Sequence, residues 1–138
     1  MNYNLERFTE SHKKYYPLAL QEIKNGYKES HWMWFIFPQI AGLGSSEISK
    51  YYAIRSLDEA RAYMQDKLLC THMLEICEAL LKLETNDAEK IFGWPDNMKL
   101  KSSMTLFAMA NPEKELFKKV LSKFFNGQYD ERTQRILL

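Results

Sequence analysis

Cysteine is scarce in this chain of 138 residues, which contains only two of them, Cys70 and Cys77. Both fall on one predicted helix, where a rise of ~1.5 Å per residue separates them by roughly 10 Å. A disulfide needs Cα atoms within ~7 Å, so we expect the two thiols to stay reduced. No set of cysteines and histidines has metal-ligand spacing, and we expect no metal and no cofactor. Reduced thiols and an N-terminus without an apolar signal segment predict a cytoplasmic protein.

An excess of one charge is also lacking, because 19 basic residues face 18 acidic ones and the net charge is +1. A nucleic-acid-binding surface would favour a basic stripe, and the sequence has none. No apolar run approaches the ~18 residues that a membrane span requires. We therefore expect neither nucleic acid nor a membrane as a partner, and we favour a monomer.

Apolar and aromatic residues are plentiful, at 46% and 14% of the chain. A chain of this length usually forms one domain around one core. Apolar residues recur at helical spacing along nearly every segment, and helix-capping residues separate the segments. The sequence thus predicts an all-α fold, with residues 1–138 forming a single compact multihelical domain around buried central helices.

Helix starts are predicted from capping residues and prolines. Pro17 suits the first turn of a second helix, and Ser30 can cap a short one. Further N-caps are expected at Ser46, Ser56, Asp66 and Asp130. The longest helix is predicted over Lys67–Leu83, and its wide apolar arc should bury Ile76 and Leu80 deeply.

The tryptophan motif, residues 30–39, reads Ser-His-Trp-Met-Trp-Phe-Ile-Phe-Pro-Gln. The run is too apolar for an exposed loop, so it should lie in the core or line a cavity. A short buried helix is the favoured conformation. A strand is the alternative, because Trp, Phe and Ile favour strands, but the only other candidate strand is Ser103–Met109.

Three residues of this motif are candidate ligand contacts. His31 can act as a general base or a hydrogen-bonding group, although a core histidine bonded to a backbone carbonyl is commoner. Trp32 and Trp34 can stack on a flat ligand, although core packing is expected for at least one of them.

The loop that follows adds Gln39, Ser45 and Ser46. Two glycines and two serines there can form an anion-binding nest of backbone N–H groups. An ordinary capping loop is the commoner outcome, because the spacing matches neither of the usual phosphate-binding glycine motifs.

A third candidate segment places Lys99, Ser102 and Ser103 on one helix face. A lysine and a hydroxyl can act together as base and nucleophile, yet the order of the residues reverses the Ser-x-x-Lys motif. Close packing of small residues explains the serines equally well. Catalytic residues therefore stay unknown, and no motif decides whether the protein is an enzyme.

Five segments resemble a family of small bacterial proteins, the domain of unknown function numbered eighteen-ten. They are the tryptophan motif, GLGSS at 42–46, YAIRSLDEA at 52–60, IFGWPD at 91–96 and KLKSSMTLF at 99–107. The resemblance covers almost the whole chain and implies a multihelical fold, but it implies no activity. Some members carry the label calpastatin, an inhibitor class that is disordered, whereas this chain has the composition of a folded core.

Two functions remain in view. The leading hypothesis is a helical domain that binds a small nucleotide-like or phosphorylated ligand between the tryptophan motif, the Gln39–Ser46 loop and the Lys99–Ser103 face. The alternative is a non-enzymatic protein-interaction module with an aromatic surface patch. Exposure of Trp32, Trp34 and Trp94 should distinguish the two.

Overall fold

The computed structural model describes residues 3–138, and α-helices account for the regular structure within them. The helices are α1 (Glu6–Lys24), α2 (Met33–Ile36), α3 (Glu47–Tyr52), α4 (Leu57–Gln65), α5 (Lys67–Lys82), α6 (Ala88–Phe92), α7 (Asp96–Ala110), α8 (Glu115–Phe125) and α9 (Glu131–Leu137). Strand-like pairing within the described part is confined to a parallel bridge between Ile40 and Ile54. The all-α prediction is confirmed.

Two helices, α5 and α7, form the centre of the molecule. α5 packs against α1, α4 and α8, while α7 packs against α4, α6, α8 and α9. Ile76 and Leu80 of α5 are buried, as its wide apolar arc predicted. α7 is buried on almost every side from Leu100 onward, including its small residues Ser102 and Ser103. The described helices include none long and apolar enough to cross a membrane.

Most predicted caps are present. The side chains of Ser46, Ser56, Asp66 and Asp130 each accept a hydrogen bond from a backbone N–H in the first turn of the helix that follows. At the opposite end of α5, the ammonium of Lys123 donates to the backbone carbonyls of Leu80, Leu81 and Leu83. Burial lowers the pKa of Lys123.

The predicted helix break at Pro17 is wrong, because α1 continues through this residue. A proline inside a helix costs about 3 kcal/mol. The buried face of α1, which includes Phe8, Tyr16 and Ile23, is continuous across the proline and offsets that cost. The predicted cap at Ser30 is also wrong, since α2 begins after Trp32 and has no side-chain cap.

The polar sequence neighbours of His12 are typical of a surface position, but this residue is buried. It lies on the buried face of α1 and is only 1% exposed. Its Nε2 is 2.8 Å from the carbonyl oxygen of Phe35, and its Nδ1 is 3.0 Å from Nδ1 of His72. Because a carbonyl only accepts, Nε2–H donates to it, and the bare Nδ1 accepts from His72. Burial lowers the pKa of His12 to about 4, although the bond to Phe35 opposes the shift.

Candidate functional site

An open cavity of about 480 Å³ lies between the tryptophan motif, the start of α7 and the start of α9. We call it the tryptophan cleft. Its walls come from Trp34 and Gln39, from the loop at 43–49, from the 94–102 segment, and from Asp130 and Arg132. This size falls within the range of small-molecule sites, roughly 300–1,000 Å³.

Trp34 reaches the cleft because of the short helix α2. Its neighbours Met33, Phe35 and Ile36 are buried in the core, which leaves Trp34 as the half-buried member of the turn. In this single helical turn, the Trp34 indole therefore points away from the core, while the buried side chains of its neighbours hold the turn in place.

Glu22 of α1 fixes the entry into this motif. Its buried carboxylate accepts hydrogen bonds from the Trp32 indole at 2.8 Å, from Ser30 Oγ at 2.6 Å, and from the backbone N–H groups of Glu29 and Ser30 at 2.9 and 3.0 Å. Burial alone would raise the pKa of Glu22, but these donors outweigh it, and the pKa lies below its usual value. Trp32 is consequently a fully buried anchor.

Lys28 joins the same segment to the start of α7. Its ammonium lies 2.9 Å from a carboxylate oxygen of Asp96 and donates to the carbonyl of Ser30 at 2.6 Å. It also lies over the Trp32 ring, 5.0 Å from the centroid. The two protein segments that face each other across the cleft are thus held by one buried cation.

Lys99 lies at the junction of these walls. Its ammonium is 3.3 Å from the other carboxylate oxygen of Asp96 and 5.5 Å from the centroid of the Trp34 ring. A cation near an indole face favours a ligand that is both flat and anionic, since the ring stacks while the ammonium pairs with the negative charge.

The loop wall is held in two ways. Ile54 N–H donates to the carbonyl of Gln39 at 2.8 Å, and Ala41 N–H donates to the carbonyl of Ile54 at 2.7 Å. Near the loop tip, a Cβ on Gly44 would lie only 2.5 Å from Ser49 Oγ. No side chain fits there, and the glycine is required for this close approach.

Arg132 and Trp94 also face the cleft, and the sequence reasoning did not place either in the site. Asp130 accepts hydrogen bonds from Thr133 N–H and Thr133 Oγ and so caps the start of α9. Arg132 lies in this first turn, at the cleft wall. Trp94 is 73% exposed on the opposite rim. The sequence signal for Trp94 was its position directly before Pro95, which predicts a turn. The sequence held no comparable signal that Arg132 lies at a site.

The charge of the cleft differs from that of the chain. Its walls carry the cations Lys99 and Arg132 and the carboxylate of Asp130, which is already engaged as a helix cap, while Lys99 is paired with Asp96. Arg132 forms no ion pair within residues 3–138, so its charge is available to a ligand. The cleft can therefore attract an anion although the whole chain is close to neutral.

The structure gathers six of the nine predicted ligand residues in this cleft, namely Trp34, Gln39, Ser45, Ser46, Lys99 and Ser102. The other three lie elsewhere. His31 is exposed outside the cleft walls, and Trp32 is sealed in the core by Glu22. Ser103 is fully buried on α7, and its hydroxyl has no partner in the described part of the chain.

Among the described residues, no hydroxyl that lines the cleft forms a hydrogen bond with a basic side chain. Ser102 Oγ donates to the carbonyl of Met98 at 3.2 Å, and Ser46 Oγ is engaged with Ser49 at 3.0 Å. The two histidines with lowered pKa values, His12 and His72, belong to the hydrogen-bonded pair described above and do not line the cleft.

The sequence places this chain in a known family. Residues 2–137 match the family described as protein of unknown function (DUF1810), and the chain belongs to it. The crystal structure of the conserved hypothetical protein Rv1873 from Mycobacterium tuberculosis is similar, with a TM-score of 0.95 and 42% sequence identity over 97% of this chain and 96% of that one. No curated protein matches the chain. The predicted family resemblance is confirmed, and the family description names no activity.

Proposed function

We propose that the protein binds a flat phosphorylated small molecule, such as a nucleoside monophosphate, in the tryptophan cleft. The observation that carries the proposal is the meeting of Trp34, Trp94, Lys99 and Arg132 around one cavity. Two indoles provide stacking surfaces, and two cations provide the charge that a phosphate requires.

The polar groups of the cleft support the same ligand. The side chain of Gln39 has no hydrogen-bond partner among the described residues, so its amide is available to orient a base or a ribose. Most small-molecule sites combine such a few convergent polar groups with an apolar wall.

Titration of intrinsic tryptophan fluorescence with AMP and UMP tests the proposal, with adenosine and inorganic phosphate as partial ligands. We expect saturable quenching by a monophosphate and weaker binding of either part alone. Trp94→Ala should weaken binding by roughly 5- to 150-fold, because loss of base stacking is worth ~1–3 kcal/mol. Tyr27→Ala is the matched control, since Tyr27 is also a largely exposed aromatic residue but lies outside the cleft.

Lys99→Met tests the role of charge. A charged hydrogen bond contributes ~1.5–3 kcal/mol, so affinity for the monophosphate should fall by about tenfold or more, while affinity for adenosine stays the same. Lys119→Met, on the exposed side of α8, controls for net charge. Absence of binding by both monophosphates, or equal loss in the two lysine variants, would contradict the proposal.

A protein-interaction module is the second candidate. Its supporting observation is the exposure of Trp94 and Met98, at 73% and 41%, which form an apolar rim at the start of α7. If the partner is a second copy of the chain, sedimentation should show association that rises with concentration and disappears in Trp94→Ala. A concentration-independent monomer would leave the ligand site as the better explanation of the rim.

A further inference from the structure

A second, smaller cavity of about 230 Å³ adjoins the tryptophan cleft. We call it the annex. The two cavities share Trp34, Gln39, Gly44 and Ser49, which form the waist between them. The annex is smaller than typical independent ligand sites, which start at roughly 300 Å³, and it is continuous in its lining with the larger cavity.

The annex has its own cations and its own ring. Lys50 and Arg55 line it, and neither forms an ion pair within residues 3–138. The aromatic ring of Tyr52 provides an apolar face, and the Tyr52 hydroxyl is held by Ser11 at 2.6 Å. No carboxylate of residues 3–138 lines the annex.

Among residues 3–138, four cations and the carboxylate of Asp130 line the two cavities, and one of the cations, Lys99, also pairs with Asp96. The chain as a whole has 19 basic and 18 acidic residues, so this imbalance is local. A monophosphate in the tryptophan cleft would meet Lys99 and Arg132 and would leave Lys50 and Arg55 without an anion. The charges flanking the waist therefore match more than one phosphate.

The waist itself offers donors for a phosphate chain. The N–H of Gly44 has no acceptor among the described residues, and the amide of Gln39 is likewise without a partner. A backbone N–H without an acceptor can donate to an anion at the waist, while Ser49 occupies the space on the Cβ side of Gly44.

We propose that the cleft and the annex form one bipartite site for a nucleoside diphosphate linked to a sugar. The nucleoside would lie between the indoles, the diphosphate at the waist, and the sugar in the annex against Tyr52. The size of the annex selects the sugar, because a second nucleoside needs a cavity closer to that of the cleft. This inference rests on the proposed nucleotide-binding function and extends it to a ligand class.

Calorimetric titration of the intact protein with UMP, UDP and UDP-glucose, and with AMP, ADP and ADP-glucose, tests this inference. In at least one of the two series, we expect the nucleotide sugar to bind at least tenfold more tightly than the monophosphate. The double variant Lys50→Met/Arg55→Met should remove this gain and leave monophosphate affinity within about twofold. Lys50→Met alone should remove part of it.

A matched double variant, Lys24→Met/Lys82→Met, makes the same change in net charge at exposed positions that line neither cavity. It should keep the full gain. Equal affinities for monophosphate and nucleotide sugar would overturn the bipartite site while leaving the proposed function intact. Absence of binding by every nucleotide would overturn both.

Discussion

Replacement of Glu22 by glutamine should destabilise the protein strongly for so small a change. The glutamine keeps the shape of the side chain, and its oxygen can still accept from the Trp32 indole and from the backbone N–H groups of Glu29 and Ser30. Each of these bonds falls from the charged class, ~1.5–3 kcal/mol, to the neutral class, ~0.5–1.5 kcal/mol. Three such changes, less the desolvation that removing a charge relieves, predict a loss of about 1–3 kcal/mol.

The stability that the Glu22 carboxylate contributes should depend on pH, and the direction of its pKa shift gives the sign. The pKa of Glu22 is lower in the folded protein than its ordinary value of 4.5, so the folded state favours the ionised carboxylate. Its contribution is therefore complete above about pH 4.5 and is lost as the pH falls through the folded pKa. The free energy of unfolding of Glu22→Gln should differ most from wild type at pH 7, and the difference should be smaller at pH 3.

Urea denaturation followed by circular dichroism measures the difference at both pH values. Glu29→Gln is the matched control, because Glu29 is an exposed carboxylate a few residues away, and it should change stability by less than about 0.5 kcal/mol. The reasoning is refuted if Glu22→Gln is as stable as wild type at pH 7, or if the difference between them does not shrink in acid.

Three other outcomes are expected. Because the pKa of His12 falls from 6.5 to about 4 on folding, wild type should lose about 2 kcal/mol of stability from this group between pH 7 and pH 5, and urea titrations of His12→Asn should show a smaller loss over that interval. Ile76→Ala should lower the free energy of unfolding by about 2–5 kcal/mol, since it opens a cavity in α5, and a loss below 1 kcal/mol would contradict the central position of that helix. Gly44→Ala should weaken monophosphate binding at least several-fold and should also lower the thermal unfolding temperature, because its Cβ would lie 2.8 Å from Ser49 Cβ and would displace it.

Local chemistry explains which helix boundaries could be predicted. Ser56 and Asp66 cap their helices through contacts with residues only three positions ahead, so the sequence alone contains both partners. The prediction at Pro17 was wrong because the cost of a proline inside a helix is offset by burial of the whole helix face, and burial depends on the tertiary fold. His12 lies four residues from both Phe8 and Tyr16, and this spacing was the signal that places it in the core.

The candidate site divides along similar lines. Lys99 and Ser102 could be grouped from their spacing on one helix, and Trp34 from its aromatic surroundings. The burial of Trp32 depends on its hydrogen bond to the carboxylate of Glu22 on α1, and no local sequence pattern predicts that pairing. Arg132 reaches the cleft only because α9 packs on α7, a tertiary contact without a sequence signature.

The bridge between Ile40 and Ile54 fastens both ends of the loop that forms one wall of the cleft and of the annex. A loop whose ends are pinned has lost much of its conformational freedom before any ligand arrives. Binding then has little chain ordering to oppose it, and more of the contact energy is expressed as affinity. The same bridge makes the two cavities mechanically dependent, since a shift of this wall changes the width of both at once.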